Sequence, residues 1–137
     1  VILVDTSLWV DYLRHGLSTL AQLLQDGRVL GHPWVVGELG LGHLSQREEI
    51  LPLLGGLPQA VVATHDEVMG LVDRHRLFGL GIGYVDAQLL AGTLLTGDAA
   101  LWTADRRLHR VATRLGCAAT PEVEEGYLGS LRQDWAE

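Results

Sequence analysis

The apolar run Val1–Val4 ends directly on Asp5, and a second short apolar stretch, ALWTAD at 100–105, also closes on an acid. Runs this short and this apolar read as strands buried in a sheet. A carboxylate at the end of such a strand loses hydration, a cost that its surroundings must offset. In parallel sheets ligands bind outside the carboxyl ends of the strands, and Asp5 and Asp105 are each placed at such an end.

The segments between these strands have helical spacing. A helix is expected near 7–14, with Ser7 as a cap candidate. Residues 18–27 predict another, with Ser18 as N-cap candidate and Gly27 as the stop. RVLGH (28–32) is a short strand candidate, and Pro33 opens an apolar helix through roughly 44. A helix over 46–54, a short strand in QAVVAT and a helix from His65 to His75 follow. Residues 84–95 form a mostly apolar helix expected to be buried on more than one side. The stretch 106–116 places Leu108, Val111, Ala112 and Leu115 on one face and arginines on the other; CAAT reads as a last strand and 122–132 as a terminal helix. Strands alternating with helices predict an α/β domain with a mainly parallel sheet, and 137 residues suit a single domain over 1–137.

Composition narrows the function classes. No uncharged apolar run reaches the roughly 18 residues of a membrane span. The N-terminus lacks the pattern of a signal peptide. Cys117 is the only cysteine, so no intramolecular disulfide forms, a cytoplasmic setting is expected, and the thiol reads as structural and buried. A net charge of −7 argues against nonspecific binding of nucleic acid through a basic surface. It is compatible with an enzyme that meets RNA through bound metal and a local arginine patch. The chain contains no lysine.

Two further acids sit in apolar surroundings, Glu38 in WVVGELGLG and Asp86 in GIGYVDAQLLAG. Each of the four has an ordinary alternative: Asp5 and Asp105 as helix caps, Asp86 as a charge favoured by a helix N-terminus, Glu38 as the partner of a buried arginine. As a set they suit convergence at one sheet edge. Crowded carboxylates raise each other's pKa values, an obstacle that a divalent cation removes. Mg²⁺ and Mn²⁺ favour oxygen ligands, polarise phosphoryl oxygens and acidify water, so the constellation suits a metal-dependent phosphodiesterase.

The segments VDTSLWVDYLR, VVGELGLG, GIGYVDAQLLA and LWTADRRL, in that order, strongly resemble the PIN-domain ribonucleases and, within them, the VapC toxins of bacterial toxin–antitoxin pairs. The resemblance covers nearly the whole chain. It implies a three-layer α/β/α sandwich with a mainly parallel sheet of four or five strands. It also implies a pocket binding Mg²⁺ or Mn²⁺ and endonucleolytic RNA cleavage that leaves a 5′-phosphate and a 3′-hydroxyl. The family's acids fall on Asp5, Glu38, Asp86 and Asp105. Asp5 and Asp86 are implied first as metal ligands, with Asp105 completing the shell and Glu38 holding the attacking water. Thr6 and Thr103 match accompanying hydroxyl residues suited to hydrogen-bonding a carboxylate or water, and an ordinary strand or capping role suits them equally. A homodimer and a VapB-type antitoxin, whose C-terminal segment occupies the active-site groove, are implied as well.

Arg106, Arg110 and Arg114 recur every four residues, and Arg106 and Arg110 are candidate RNA-phosphate contacts beside the alternative of a solvated face. Arg14 suits either a phosphate, an antitoxin carboxylate or a helix C-terminus. Asp98, an extra acid close to the fourth segment, reads as a surface turn, beside the alternative of a peripheral role in the acidic cluster. Trp9, Trp34 and Trp102 read as core or subunit-interface residues rather than base-stacking platforms, and His15, His32 and His43 as incidental. A receiver domain needs a lysine that this chain lacks; a haloacid-dehalogenase-like phosphatase needs an Asp where Ser7 stands. The remaining alternative is a catalytically silent PIN-like module that binds RNA or a partner.

Overall fold

The computed structural model describes residues 1–121; the helix expected over 122–132 lies outside them. The central strand is β1 (Ile2–Val4), whose side chains are all buried, Leu3 and Val4 completely. It pairs in parallel with β2 (Val29–Leu30) on one side and β3 (Ala100–Trp102) on the other, giving the order β2-β1-β3. The register sets Ile2 opposite Val29 and Ala100, and Val4 opposite Trp102. Both runs read as strands therefore lie side by side and end at one edge.

Parallel neighbours need crossovers, and helices supply them. Between β1 and β2 run α1 (Thr6–His15) and α2 (Ser18–Gln25); between β2 and β3 run α3 (Pro33–Leu41), α4 (Arg47–Gly55), α5 (His65–His75) and α6 (Tyr84–Leu95). The last helix described is α7 (Arg106–Arg114). The backbone before α2 caps it at Leu17, so Ser18 lies inside the helix rather than ahead of it. Gly27, in the left-handed region at φ 68°, follows the end of α2 as expected.

The fold is the expected α/β type, with three strands rather than four or five among the described residues. QAVVAT and CAAT each meet the sheet through a single parallel bridge, Gly31 with Gln59 and Leu101 with Ala118. The first cannot lengthen because the Val61 N–H turns away to the Thr96 hydroxyl at the end of α6, 2.9 Å distant. The second runs into Pro121, which has no N–H to donate.

Helix α6 is buried without interruption from Ala87 to Thr93, which explains its lack of a polar face. Its Gly92 permits a close approach: a Cβ there would lie 2.7 Å from the Val61 carbonyl oxygen and 3.3 Å from His32 Nε2. Cys117 is a buried free thiol, and burial pushes its pKa up, as befits a structural residue.

His32 is not incidental. It is fully buried, and its Nδ1 accepts the Trp34 backbone N–H at 3.1 Å, capping α3. The neutral ring therefore carries its proton on Nε2, which has no hydrogen-bond partner among the described residues. Burial lowers the His32 pKa. Protonation of Nδ1 would remove the cap and place a cation at the positive end of α3. Since the unfolded chain takes up this proton more readily, stability should fall as pH drops below the ordinary value of 6.5. Thermal unfolding across that range should show a shallower slope for His32→Asn, which keeps a capping acceptor without the titration. An unchanged slope would assign the acid sensitivity to other groups.

Candidate active site

The sheet ladder continues into the first acid. The Asp5 backbone N–H donates to the Trp102 carbonyl at 2.9 Å, so Asp5 is fixed by the same pairing that builds the core. Its side chain is only 6 % exposed and takes three donors. Oδ1 accepts the Thr6 N–H at 2.7 Å; Oδ2 accepts the Ser7 hydroxyl at 3.1 Å and the Thr103 hydroxyl at 2.6 Å. Burial pushes the Asp5 pKa up. Hydrogen bonds from Thr103, Thr6 and Ser7 oppose that shift, and the Glu38 charge adds to it.

The expected helix cap is displaced by one role. Asp5 itself caps α1, which starts at Thr6 rather than near Ser7. Ser7 instead braces the site: its hydroxyl donates to Asp5 and accepts the Ala104 N–H at 3.3 Å. The residue-by-residue sequence reading missed this, because nothing in the TS dipeptide distinguishes a capping hydroxyl from a bracing one.

Thr103 is completely buried and ties the two strand-end acids together. Its hydroxyl donates to Asp5 and accepts the Asp105 N–H at 3.0 Å. Asp105 caps α7, with Oδ1 accepting the Leu108 N–H at 2.9 Å. Thr6 plays the matching part for Glu38, donating its hydroxyl to Oε1 at 2.6 Å across from α1 to α3. Asp86 stands in the first turn of α6 and accepts the Gly83 N–H at 3.1 Å. Its pKa is raised chiefly by burial and further by the charges of Asp5, Asp105 and Glu38. Asp86 feels all three other acids, so the chain brings the four together.

These groups form an all-oxygen donor set. Among the described residues no three Asp, Glu, His or Cys side chains make a ready-built metal cage. Mg²⁺ does not require one, since it keeps several waters and binds through one or two carboxylates. An ionised carboxylate offers about four acceptor sites, and Asp5 uses three of them, leaving one. Asp86 Oδ1 and Glu38 Oε2 accept no hydrogen bond among the described residues. Oxygen donors of this kind, mutually repelling without a cation, fit a hydrated Mg²⁺ or Mn²⁺.

The arginines divide. Arg106 and Arg107 line a shallow cavity of about 350 Å³ with Asp105, beside the acids. Arg107, which the four-residue repeat passes over, lies against Gly81; a Cβ there would lie 2.8 Å from its guanidinium. Arg110 and Arg114 flank Arg107 further along α7, where Arg114 donates to the His75 carbonyl at 2.6 Å. Arg14, Thr6, Glu38 and His43 line a cleft of about 300 Å³ opening beside the acids. Asp98 is exposed, at φ 60°, and its carbonyl receives the Val1 amino group at the opposite end of the sheet, which removes it from the cluster.

No family model matches the chain. Among curated proteins, Ribonuclease VapC32 of Mycobacterium tuberculosis, from strains CDC 1551 and H37Rv, is 48 % identical over 123 residues. The match spans 90 % of this chain and 99 % of the relative. The chain belongs to the VapC-type PIN-domain family. For a VapC-type chain, the clustered acids, the parallel sheet and the hydroxyls that brace Asp5 and Glu38 now have one context.

Proposed function

We infer that this chain is a Mg²⁺- or Mn²⁺-dependent endoribonuclease and the toxin of a VapBC-type pair. The observation that carries the reading is the convergence of Asp5, Glu38, Asp86 and Asp105, braced by Thr6, Ser7 and Thr103. The likeness to a ribonuclease along nearly its full length supports it.

Asp5 and Asp86 would hold the cation, with Asp105 completing its shell through water. When bound, the cation neutralises the carboxylates, draws charge from the phosphoryl oxygens and increases the acidity of water. Asp5 contributes a fixed direction, because its backbone is part of the ladder and its side chain takes three donors. Glu38, held by Thr6 at one oxygen, keeps the other for orienting a water and accepting its proton. Attack on phosphorus breaks the bond to the 3′ oxygen, which takes a proton from solvent. The products are a 3′-hydroxyl and a 5′-phosphate. Arg106 and Arg110 would steer phosphates toward the acids.

The cleft beside Glu38 suits an inhibitory segment of a VapB-type antitoxin, with Arg14 and Glu38 offering charges of both signs. A homodimer and a cytoplasmic location complete the reading. Among the described residues no helix is long and apolar enough to cross a membrane.

The purified chain should cleave single-stranded RNA with Mg²⁺ or Mn²⁺, stop in chelator, and resume when the ion is restored. Mapping the new ends should place phosphate on the 5′ side. RNA binding without cleavage in either ion would establish the silent PIN-like module instead.

A further inference from the structure

Trp9 and Trp102 are core residues, 3 % and 1 % exposed, whereas Trp34 is 38 % exposed. It stands on the solvent face of α3 together with Glu38, four residues and about 6 Å further along the axis. Its neighbour across the helix boundary is Tyr84, equally exposed at 38 % and two residues before Asp86. The two rings meet edge-on, with centroids 5.7 Å apart and planes at 65°. An aromatic pair thus joins the two helices that supply Glu38 and Asp86.

Tyr84 is held firmly. Its hydroxyl accepts the amide of the buried Gln88 at 3.0 Å and lies 2.9 Å from His65 Nδ1, while the His65 ring rests 5.6 Å away. A hydroxyl pinned from two sides and a ring edge set against an indole give a platform whose orientation is fixed before any ligand arrives. Exposed aromatics arranged in this way are how proteins hold the splayed bases of single-stranded RNA.

Charge makes such a platform useful here. The chain carries a net charge of −7, and four of its carboxylates stand at the point where a phosphodiester must approach. Stacking supplies affinity that does not depend on neutralising phosphates.

We propose that Trp34 and Tyr84 form a stacking step for an unpaired base of the RNA substrate, positioning the neighbouring phosphodiester at the acids. The proposal rests on the endoribonuclease reading and deepens it. Both residues are positioning residues; neither touches the reacting atoms.

The test uses the full chain and a labelled single-stranded RNA of mixed sequence, about twelve nucleotides long, within the span that such sites cover. Binding is followed by anisotropy in chelator, cleavage with Mg²⁺, and oligomeric state by light scattering at the same protein concentration. Trp34→Leu keeps apolar bulk but removes the π-face, and should weaken binding about tenfold or more. The same variant should raise KM with little change in kcat, and the oligomeric state should stay as in the unaltered protein. Trp34→Phe should restore most of the binding, which also guards against a folding defect. Wild-type binding by Trp34→Leu overturns the stacking step while leaving the ribonuclease reading intact. A change of oligomeric state in Trp34→Leu assigns the pair to contacts between copies and also overturns it. If the unaltered protein neither binds nor cleaves RNA, both readings fall.

Discussion

Asp5→Asn is expected to lower RNA cleavage by at least about a hundredfold, since removing several kcal/mol of charge stabilisation costs tenfold per 1.4 kcal/mol. The same substitution should make the metal-free protein more stable. These opposite signs share one cause. The Asp5 carboxylate is buried, and burial outweighs the hydrogen bonds that favour its charge, so its pKa is raised. An acid with a raised folded pKa opposes folding wherever it is ionised, and the penalty fades as pH falls through the window down to the ordinary carboxylate value. Asparagine removes the charge and keeps the shape, so Tm in chelator should rise at neutral pH and converge with the unaltered protein in acid. Addition of Mg²⁺ or Mn²⁺ should raise Tm for the unaltered chain and do little for the variant. A variant that cleaves normally would remove Asp5 from the chemistry; one that is less stable at neutral pH would mean its hydrogen bonds outweigh the burial of its charge.

Thr103→Val should have the next largest effect. Its hydroxyl makes the shortest bond to Asp5 and accepts the Asp105 N–H, and both contacts vanish with an isosteric methyl. Leaving such groups unsatisfied costs about 1–3 kcal/mol. The lost bond to Asp5 had favoured the ionised carboxylate, so the deficit in chelator should be larger at neutral pH than in acid. Cleavage should fall about ten- to hundredfold, as it does when residues that orient metal ligands are changed. Thr103→Ser should recover most of both, because it retains the hydroxyl. Equal deficits at acid and neutral pH would show that Thr103 stabilises packing rather than the charge on Asp5.

Strand-end acids were readable because a charge terminating a buried apolar run has few structural uses, and Asp5 and Asp105 duly lie at neighbouring strand ends. Helix α5 matches its expected limits, His65 to His75, where alternating apolar spacing coincides with a Thr64–Glu67 capping box. What spacing could not convey was the use made of side-chain hydroxyls. The resemblance pointed to the Thr103 hydroxyl, but its partner Asp5, 98 positions away, and the Ser7 contact with Ala104, 97 positions away, are pairs that no local pattern records. Sheet width was over-read for a related reason. QAVVAT and CAAT have strand-like composition, but their backbone donors and the following proline, set by tertiary surroundings, limit each to one bridge. Of the two places expected for Trp34, its exposure removes the core, and His32 lies buried, because an apolar stretch gives no local sign of which flank faces water.

The direct bond from Asp5 to the Trp102 carbonyl bears on how such an enzyme is kept quiet. An acid that is also a rung of the central ladder cannot be withdrawn by a local hinge without opening the core. On the proposed reading, this acid is in place before any partner binds, and an inhibitor acts by covering it rather than by withdrawing it. On that footing, removal of the proposed antitoxin releases full activity at once, with no refolding delay between loss of the inhibitor and the first cut.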